Sequence, residues 1–380
     1  MFGRSKALAL SIALAVSVGA TTSVLAQSTP FTVTELGDFD SPWAMEFLPD
    51  GRLLVTEQRG ALKLYTEGGA ISEIGGVPEV SYGGQGGLGD VVLHPDFADN
   101  GLIYMSYAEA GDGGTRGAAV ARAKLKLDGS GGELTDVEVI WRQQPKVDGG
   151  GHYGHRIAFG PDGFLYLSSG ERQKFDPAQD MNANLGKIVR LNDDGSLPDD
   201  NPFGGDLGVS AQIWTLGHRN PLGLAFDSRG RLWNVEMGPM GGDELNLVER
   251  GANYGYPIVS NGDHYDGTVI PDHRTRPEFK APAVFWNPVI SPSSLMFYSG
   301  SEFPEWQGDA FIGGLSSQSL VRIEFDGDTA REAERFAMGM RIRAVEQGPD
   351  GAIWMLEDGR EGRGGQGRMF RLTARAASGR

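Results

Sequence analysis

The sequence predicts an all-β fold, a six-bladed β-propeller with four-stranded antiparallel blades, and three observations predict it. Glycine makes up 58 of the 380 residues, about twice its usual ~7% share, and a glycine inside a helix costs about 1 kcal/mol relative to alanine. A turn rich in Asp and Gly, followed by a short strand pattern, recurs six times, which is the mark of a repeated supersecondary unit. Several of these turns also follow a strand pattern, and two alternating runs joined by an Asp-Gly turn make a β-hairpin. A sandwich or an up-and-down barrel needs no such repeat.

The units follow one another along the chain. Pro49-Asp50-Gly51 lies between the runs 43–47 and 52–56, and Asp99-Asn100-Gly101 between 88–92 and 102–107. Pro161-Asp162-Gly163 follows 156–159, and Asp227 to Gly230 follows 221–226. Gln307-Gly308-Asp309 precedes 310–314, and Pro349-Asp350-Gly351 follows 342–345. Three stretches read as excursions from this rhythm: the polar, Gly-rich Glu109 to Gly132, the acidic Asn192 to Gly208, and Gly251 to Lys280. The acidic one lacks the Glu at the twelfth position of an EF-hand loop and reads as a solvated loop.

The first 26 residues read as a signal peptide. Arg4 and Lys6 precede an apolar run from Ala7 to Ala20, and the segment closes on Val24-Leu25-Ala26 before Gln27, the order of a secretory leader with its cleavage site. Residues 27–380 are then a single catalytic domain, about 59 residues per unit, room for four strands of usual length. The expected location is periplasmic or secreted, with no stable membrane insertion once the leader is removed. Losing Arg4 and Lys6 takes the net charge from −16 to −18. Such a balance disfavours nucleic acid and anionic lipid surfaces as partners and favours neutral small molecules or cations. The absence of cysteine excludes disulfides, thiolate zinc sites, iron–sulfur clusters and cysteine nucleophiles.

Four segments carry chemistry. Gly83-Gly84-Gln85-Gly86-Gly87 precedes a strand, not a helix, so it lacks the context of a phosphate loop and suits close backbone approach to a flat ligand, with Gln85 as polar contact. Gly149-Gly150-Gly151-His152 precedes an inner-strand pattern; His152 is a candidate general base, since an unperturbed pKa of about 6.5 suits proton abstraction near neutrality, and a loop histidine held by a backbone hydrogen bond is the other reading. His155 completes a His-x-x-His pair, but on a strand or turn the two rings diverge and no third zinc ligand is nearby. In Gly217-His218-Arg219-Asn220-Pro221, Arg219 has the rigid, permanently charged fork that holds an oxyanion or a carboxylate; a charge-paired surface turn is the alternative. Gly238-Pro239 with Asp243 and Glu244 offers carbonyls and carboxylates to a hard cation such as calcium.

Taken in order, with Met340-Arg341-Ile342-Arg343, these segments resemble the soluble pyrroloquinoline quinone (PQQ) dependent aldose sugar dehydrogenases over essentially the whole mature chain. The resemblance implies PQQ lying flat on the propeller axis with Ca2+ beside it, and oxidation of an aldose at C1 to a lactone. It makes His152 the base, Arg219 the stabiliser of charge on the quinone oxygen, Asn220 and Gln85 cofactor contacts, and Arg341 and Arg343 partners of PQQ carboxylates. The carbonyls of Gly238 and Pro239 would hold the catalytic calcium, and Glu244 with the carbonyl of Tyr254, near Asp243, a second structural one. Partners are then the aldose and an unidentified electron acceptor. One position departs from the family: Gly313-Gly314-Leu315 is followed by Ser316, where family members commonly carry a lysine. Two other functions share the predicted fold, a calcium-dependent lactonase and a propeller that binds glycan or protein without catalysis.

Overall fold

The computed structural model describes Met1 and residues 29–129, 131–205, 208–359 and 365–375. The expected leader, Met1 excepted, lies outside the described residues. Among them, no helix is long and apolar enough to cross a membrane.

The fold is all-β and propeller-like. Its strands form four four-stranded sheets, one eight-stranded sheet and a two-stranded ribbon, and the α-helix among the described residues amounts to one turn, Phe97–Asn100. The turn chemistry explains the repeat. Asp50, Asp162, Asp227 and Asp350 each accept, on Oδ1, the N–H two residues on, and the glycine at the end of each turn takes the left-handed conformation that only it adopts freely, as at Gly51 (φ 86°) and Gly163 (φ 83°).

The first strands of the six hairpins are Pro42–Phe47, Leu88–Leu93, Gly154–Phe159, Pro221–Phe226, Pro292–Phe297 and Ile342–Gln347. Each packs beside the next, and the last returns to the first, so they form a closed ring. Every one carries a register shift near its start. A bulge frees its extra residue from the ladder and re-aims the side chain. Trp43, Leu222, Ser293 and Arg343 are the residues skipped in four strands; Gly89-Asp90 and His155-Arg156 are skipped in the other two. One repeated irregularity thereby presents six different chemistries to the centre of the ring.

Strand Phe31–Asp40 pairs with Gln366–Ala374 and completes the sheet that holds Ile342–Gln347, so the two ends of the described chain close one sheet. Phe31 anchors that closure at 1% exposure against Trp306 and Phe336; burying such a ring stabilises by roughly 1.5–3 kcal/mol.

Three features of the sheets were not read from the sequence. The eight-stranded sheet joins two antiparallel runs where Ile74 and Gly75 pair in parallel with Gly132 and Glu133. Glycine permits this approach, since a Cβ on Gly76 would lie 2.4 Å from the Leu134 carbonyl oxygen. The excursion expected over Glu109 to Gly132 is mostly strand, Arg116–Asp128: its buried alanines at 118, 119, 121 and 123 pack tightly but carry little apolar signal in sequence. The fifth unit's first strand, Pro292–Phe297, begins Pro-Ser-Ser and went unassigned.

Candidate active site

Four of the bulged residues, Trp43, His155, Leu222 and Arg343, line a cavity of about 210 Å³ at one end of the ring. Trp43, Leu222, Met237 and Leu315 supply apolar wall, and Gln85, Arg341 and Arg343 supply polar groups. A second positional rule emerges here. The residue just past the second strand of a hairpin also faces the site: Gln58 follows Leu53–Glu57, Met237 follows Leu232–Glu236, and Leu315 follows Ala310–Gly314.

The same position after Ile353–Glu357 is Asp358, which bonds Arg341 Nε at 3.0 Å and pairs with Arg343 Nη2 at 3.1 Å. Burial alone would raise the Asp358 carboxyl, but Arg343 and Arg341 outweigh it and hold the group below the usual range. Two guanidinium groups share this one carboxylate.

His152 stands beside the cavity. Its neighbours Tyr153 and Gly154 line the wall, and its N–H donates to Oε1 of the lining residue Gln85 at 2.8 Å. The ring Nδ1 bonds Oε1 of the fully buried Glu171, whose Oε2 accepts the N–H groups of Lys174 and Phe175. Burial would raise Glu171, but the His152 contact and the Phe175 N–H hold it low. It is therefore ionised and fixes the proton on Nδ1, which leaves Nε2 as the basic nitrogen. Burial pushes the imidazole below its usual 6.5, Glu171 draws it up, and Arg219 pushes it down again, with a net lowering. The neutral imidazole is thus the form present at neutrality, and it is lost only as pH falls through the depressed pKa. The acid limb of kcat/KM for the protein's reaction is expected below pH 6.5; a limb centred above 7 in the pH–rate profile contradicts this assignment.

The glycines around Gln85 and before His152 meet one another. Gln85 N–H donates to the Gly150 carbonyl at 2.7 Å, and a Cβ on Gly84 would lie 2.4 Å from that same oxygen. The close backbone approach expected toward a ligand is, at these positions, an approach of one loop to the other. His155 turns away from His152 and packs its ring near Trp43 and Tyr153.

Arg219, Gly238, Pro239, Glu244 and Tyr254 line a smaller cavity that shares Met237 with the first. Arg219 Nη1 donates to the carbonyls of Gly238 (2.6 Å) and Met237 (3.1 Å), and its Nε is buried without a partner. Asn220 accepts the Gly154 N–H at 3.2 Å and leaves its Nδ2 unpartnered. Asp243 accepts three backbone N–H groups, from Gly238, Ile290 and Ser291, so it shapes the Gly-Pro loop. Glu244 faces Glu236 across paired strands, and burial first, then Glu236, raises its pKa well above the usual value. The Tyr254 carbonyl accepts from His273 Nε2 at 3.1 Å, and His273 Nδ1 lies 3.7 Å from Glu244 Oε1. Ser316 bonds Ser291 through their hydroxyls at 2.8 Å, so this position brings no positive charge.

Two functional residues escaped sequence reasoning, Glu171 and Asp358. Asp358 immediately follows the second strand of its hairpin, the position from which Gln58, Met237 and Leu315 face the cavity, and that recurrence was the available signal; Glu171 lies one residue further on, after Gly170.

The chain matches the model of the glucose/sorbosone dehydrogenase family over residues 39–370. It is 41% identical over 326 residues to the aldose sugar dehydrogenase YliI of Escherichia coli (strain K12), covering 84% of this chain and 87% of that one. It is 30% identical over 318 residues to quinoprotein glucose dehydrogenase B of Acinetobacter calcoaceticus, covering 77% and 65%. The crystal structure of the soluble E. coli aldose sugar dehydrogenase in its apo form superposes with a TM-score of 0.84, covering 91% of this chain and 100% of that one at 39% identity. The PQQ-bound aldose sugar dehydrogenase of Streptomyces coelicolor superposes with a TM-score of 0.75, covering 90% and 98% at 30% identity. With the family model spanning nearly all of the described sheets, and a charged cavity at the centre of the ring, the chain belongs to the glucose/sorbosone dehydrogenase family.

Proposed function

We propose that this protein is a periplasmic or secreted, PQQ- and calcium-dependent aldose sugar dehydrogenase that oxidises the C1 hydroxyl of aldoses to lactones. The observation that carries the reading is the Glu171–His152 pair beside a cavity walled by Arg341 and Arg343. The fold reading that goes with it is a six-bladed propeller, in which the eight-stranded sheet counts as two blades touching at their outer edges. The PQQ-bound Streptomyces relative supports the cofactor.

The residues present fit that cofactor. A planar, tricarboxylated quinone needs flat apolar walls, cations for its carboxylates and donors for its carbonyl oxygens. Trp43 and Leu222 meet the first need, and Arg341 and Arg343 the second. The third is met by unpartnered buried groups, Arg219 Nε and Asn220 Nδ2. Gly238 and Pro239 would present carbonyl oxygens to calcium, the donor type a hard cation prefers. Glu244, buried against Glu236 and near the Tyr254 carbonyl, is a carboxyl that a second cation would hold ionised, with Asp243 shaping the loop between the two positions.

When bound, PQQ supplies a two-electron hydride acceptor and calcium polarises its carbonyl. The chain supplies the rest. His152 Nε2 takes the proton of the C1 hydroxyl as hydride leaves C1, so the sugar loses two electrons and two hydrogens and C1 becomes the lactone carbonyl. Glu171 stabilises the imidazolium as it forms. Arg219, with its buried Nε unpartnered, would lower the cost of the negative charge that develops on the acceptor. The electrons then pass to an acceptor whose identity the site does not specify.

A fluorescence titration of the cofactor-free protein with PQQ, with Ca2+ and with a chelator, tests the reading. One equivalent of PQQ should bind tightly with Ca2+ and much more weakly in chelator. A lactonase or a non-catalytic binding propeller would show no saturable PQQ binding.

A further inference from the structure

Arg172 is 1% exposed and forms no ion pair with a carboxylate among the described residues. Its guanidinium lies 3.8 Å over the Tyr153 ring. Its fork is spent on main-chain carbonyls: Nε to Gly151 at 2.8 Å, Nη2 to Gly149 at 2.7 Å and Nη1 to Arg116 at 2.5 Å. Its own N–H donates to the His152 carbonyl at 3.2 Å. Glu171 and Asp148 act on it electrostatically without a direct ion pair, and burial still outweighs them; holding a cation in such a place is costly, which calls for a function.

The carbonyls it binds identify that function. Gly149 and Gly151 immediately precede His152, which itself adopts a left-handed backbone (φ 50°), a conformation that a non-glycine residue holds only when its surroundings impose it. Arg172 is also strained (φ 62°) and follows Glu171 directly. The dipeptide Glu171-Arg172 therefore grips the base at two points, the carboxylate on the ring and the guanidinium on the loop that presents it.

We propose that Arg172 is a positioning residue that holds the 149–152 loop and keeps the His152 imidazole aligned for proton abstraction. The proposal rests on His152 being the base. Three charged groups act on that ring: Glu171 favours its cationic form, and Arg219 and Arg172 oppose it. Tyr153, Arg116, Glu171 and Asp148 act on Arg172 in turn.

The test uses full-length protein, wild type, Arg172→Met and Arg172→Lys. The His152 pKa is read by NMR of 13C-labelled histidine without cofactor, and kcat is read per PQQ-loaded site with the holoenzyme. In Arg172→Met the His152 pKa should rise toward its ordinary value and kcat per loaded site should fall at least about 50-fold. In Arg172→Lys, which keeps the charge but loses the fork, the pKa should stay near wild type while kcat falls about tenfold. If the methionine variant does not fold, the lysine variant decides alone: an unchanged kcat per loaded site overturns the proposal. It is overturned equally if the His152 pKa in Arg172→Met matches wild type. Failure of the functional reading looks different: the wild type itself would then fail to oxidise aldoses, while the NMR comparison still decides what Arg172 does to His152.

Discussion

Replacing Glu171 by glutamine is expected to lower kcat/KM for aldose oxidation by about 10³–10⁴-fold, the scale seen when a carboxylate that orients a catalytic imidazole becomes an amide. The change is nearly isosteric, so the two backbone N–H bonds from Lys174 and Phe175 to Oε2 can persist on the amide oxygen. What changes is the partner of Nδ1. An amide NH2 facing Nδ1 forces the ring proton onto Nε2, the nitrogen that must accept the hydroxyl proton. The imidazolium formed during reaction also loses its counter-charge in a buried position, where Glu171 is fully enclosed. PQQ affinity should be little altered, because the cofactor is assigned to Arg341, Arg343, Asn220 and Gln85. Steady-state kinetics with titrated PQQ sites check this, and a loss below tenfold would remove Glu171 from the mechanism.

The second large effect concerns stability. Asp90→Ala is expected to destabilise the fold by about 3–5 kcal/mol, the cost of leaving a buried charge without its partner. Asp90 and Arg156, 6% and 8% exposed, are joined at 2.9 Å, and Asp90 Oδ2 also accepts the Ile157 N–H at 3.0 Å. Arg156 reaches on to the carbonyls of Leu222 and Ser293, both at 2.7 Å, so this one side chain ties together first strands of four hairpins. Burial lifts Asp90 more than Arg156 lowers it, and burial also lowers Arg156. Desolvation therefore exceeds the pair's attraction, and its value lies in specifying how the strands meet rather than in net stability. Alanine would remove the counter-charge and leave Arg156 buried. Glu346, at the same internal cavity, is raised by burial to about 7 and Glu46 well above its usual value, and Asp90 is itself among the causes of both shifts. Guanidinium chloride unfolding measures the effect; a loss under 1 kcal/mol would show that the cavity compensates.

Much of the fold was legible because its signals are local. A glycine of positive φ marks all six turns, and in five of them an Asp or Asn within four residues caps the N–H two residues on, so the turns counted the hairpins. The long strand Arg116–Asp128 was hidden because alanine and glycine carry weak hydropathy, although they pack tightly between larger neighbours. The arginines, Gln85, Arg219 and His152 were found because their motifs are contiguous. Glu171 and Asp358 were not, since each partners a residue 15 or more positions away and its role exists only once hairpin ends converge on the ring. The glycine clusters were found, and the structure adds that the two loops meet each other: sequence shows that backbones come close, not which two. The six bulges were likewise invisible, since a one-residue slip in pairing leaves no mark on composition.

The central claim is that His152, oriented by Glu171, abstracts the sugar's proton as hydride passes to bound PQQ, and an anaerobic single-turnover experiment tests it most directly. Protein loaded with one equivalent of PQQ and Ca2+ is mixed with an aldose while quinone absorbance is followed and the product is identified. The account predicts reduction of all bound PQQ with one equivalent of lactone formed, and at least about 10³-fold slower reduction in His152→Ala with PQQ still bound. Stoichiometric PQQ binding with no absorbance change across several aldoses, or unaltered reduction in His152→Ala, would contradict it.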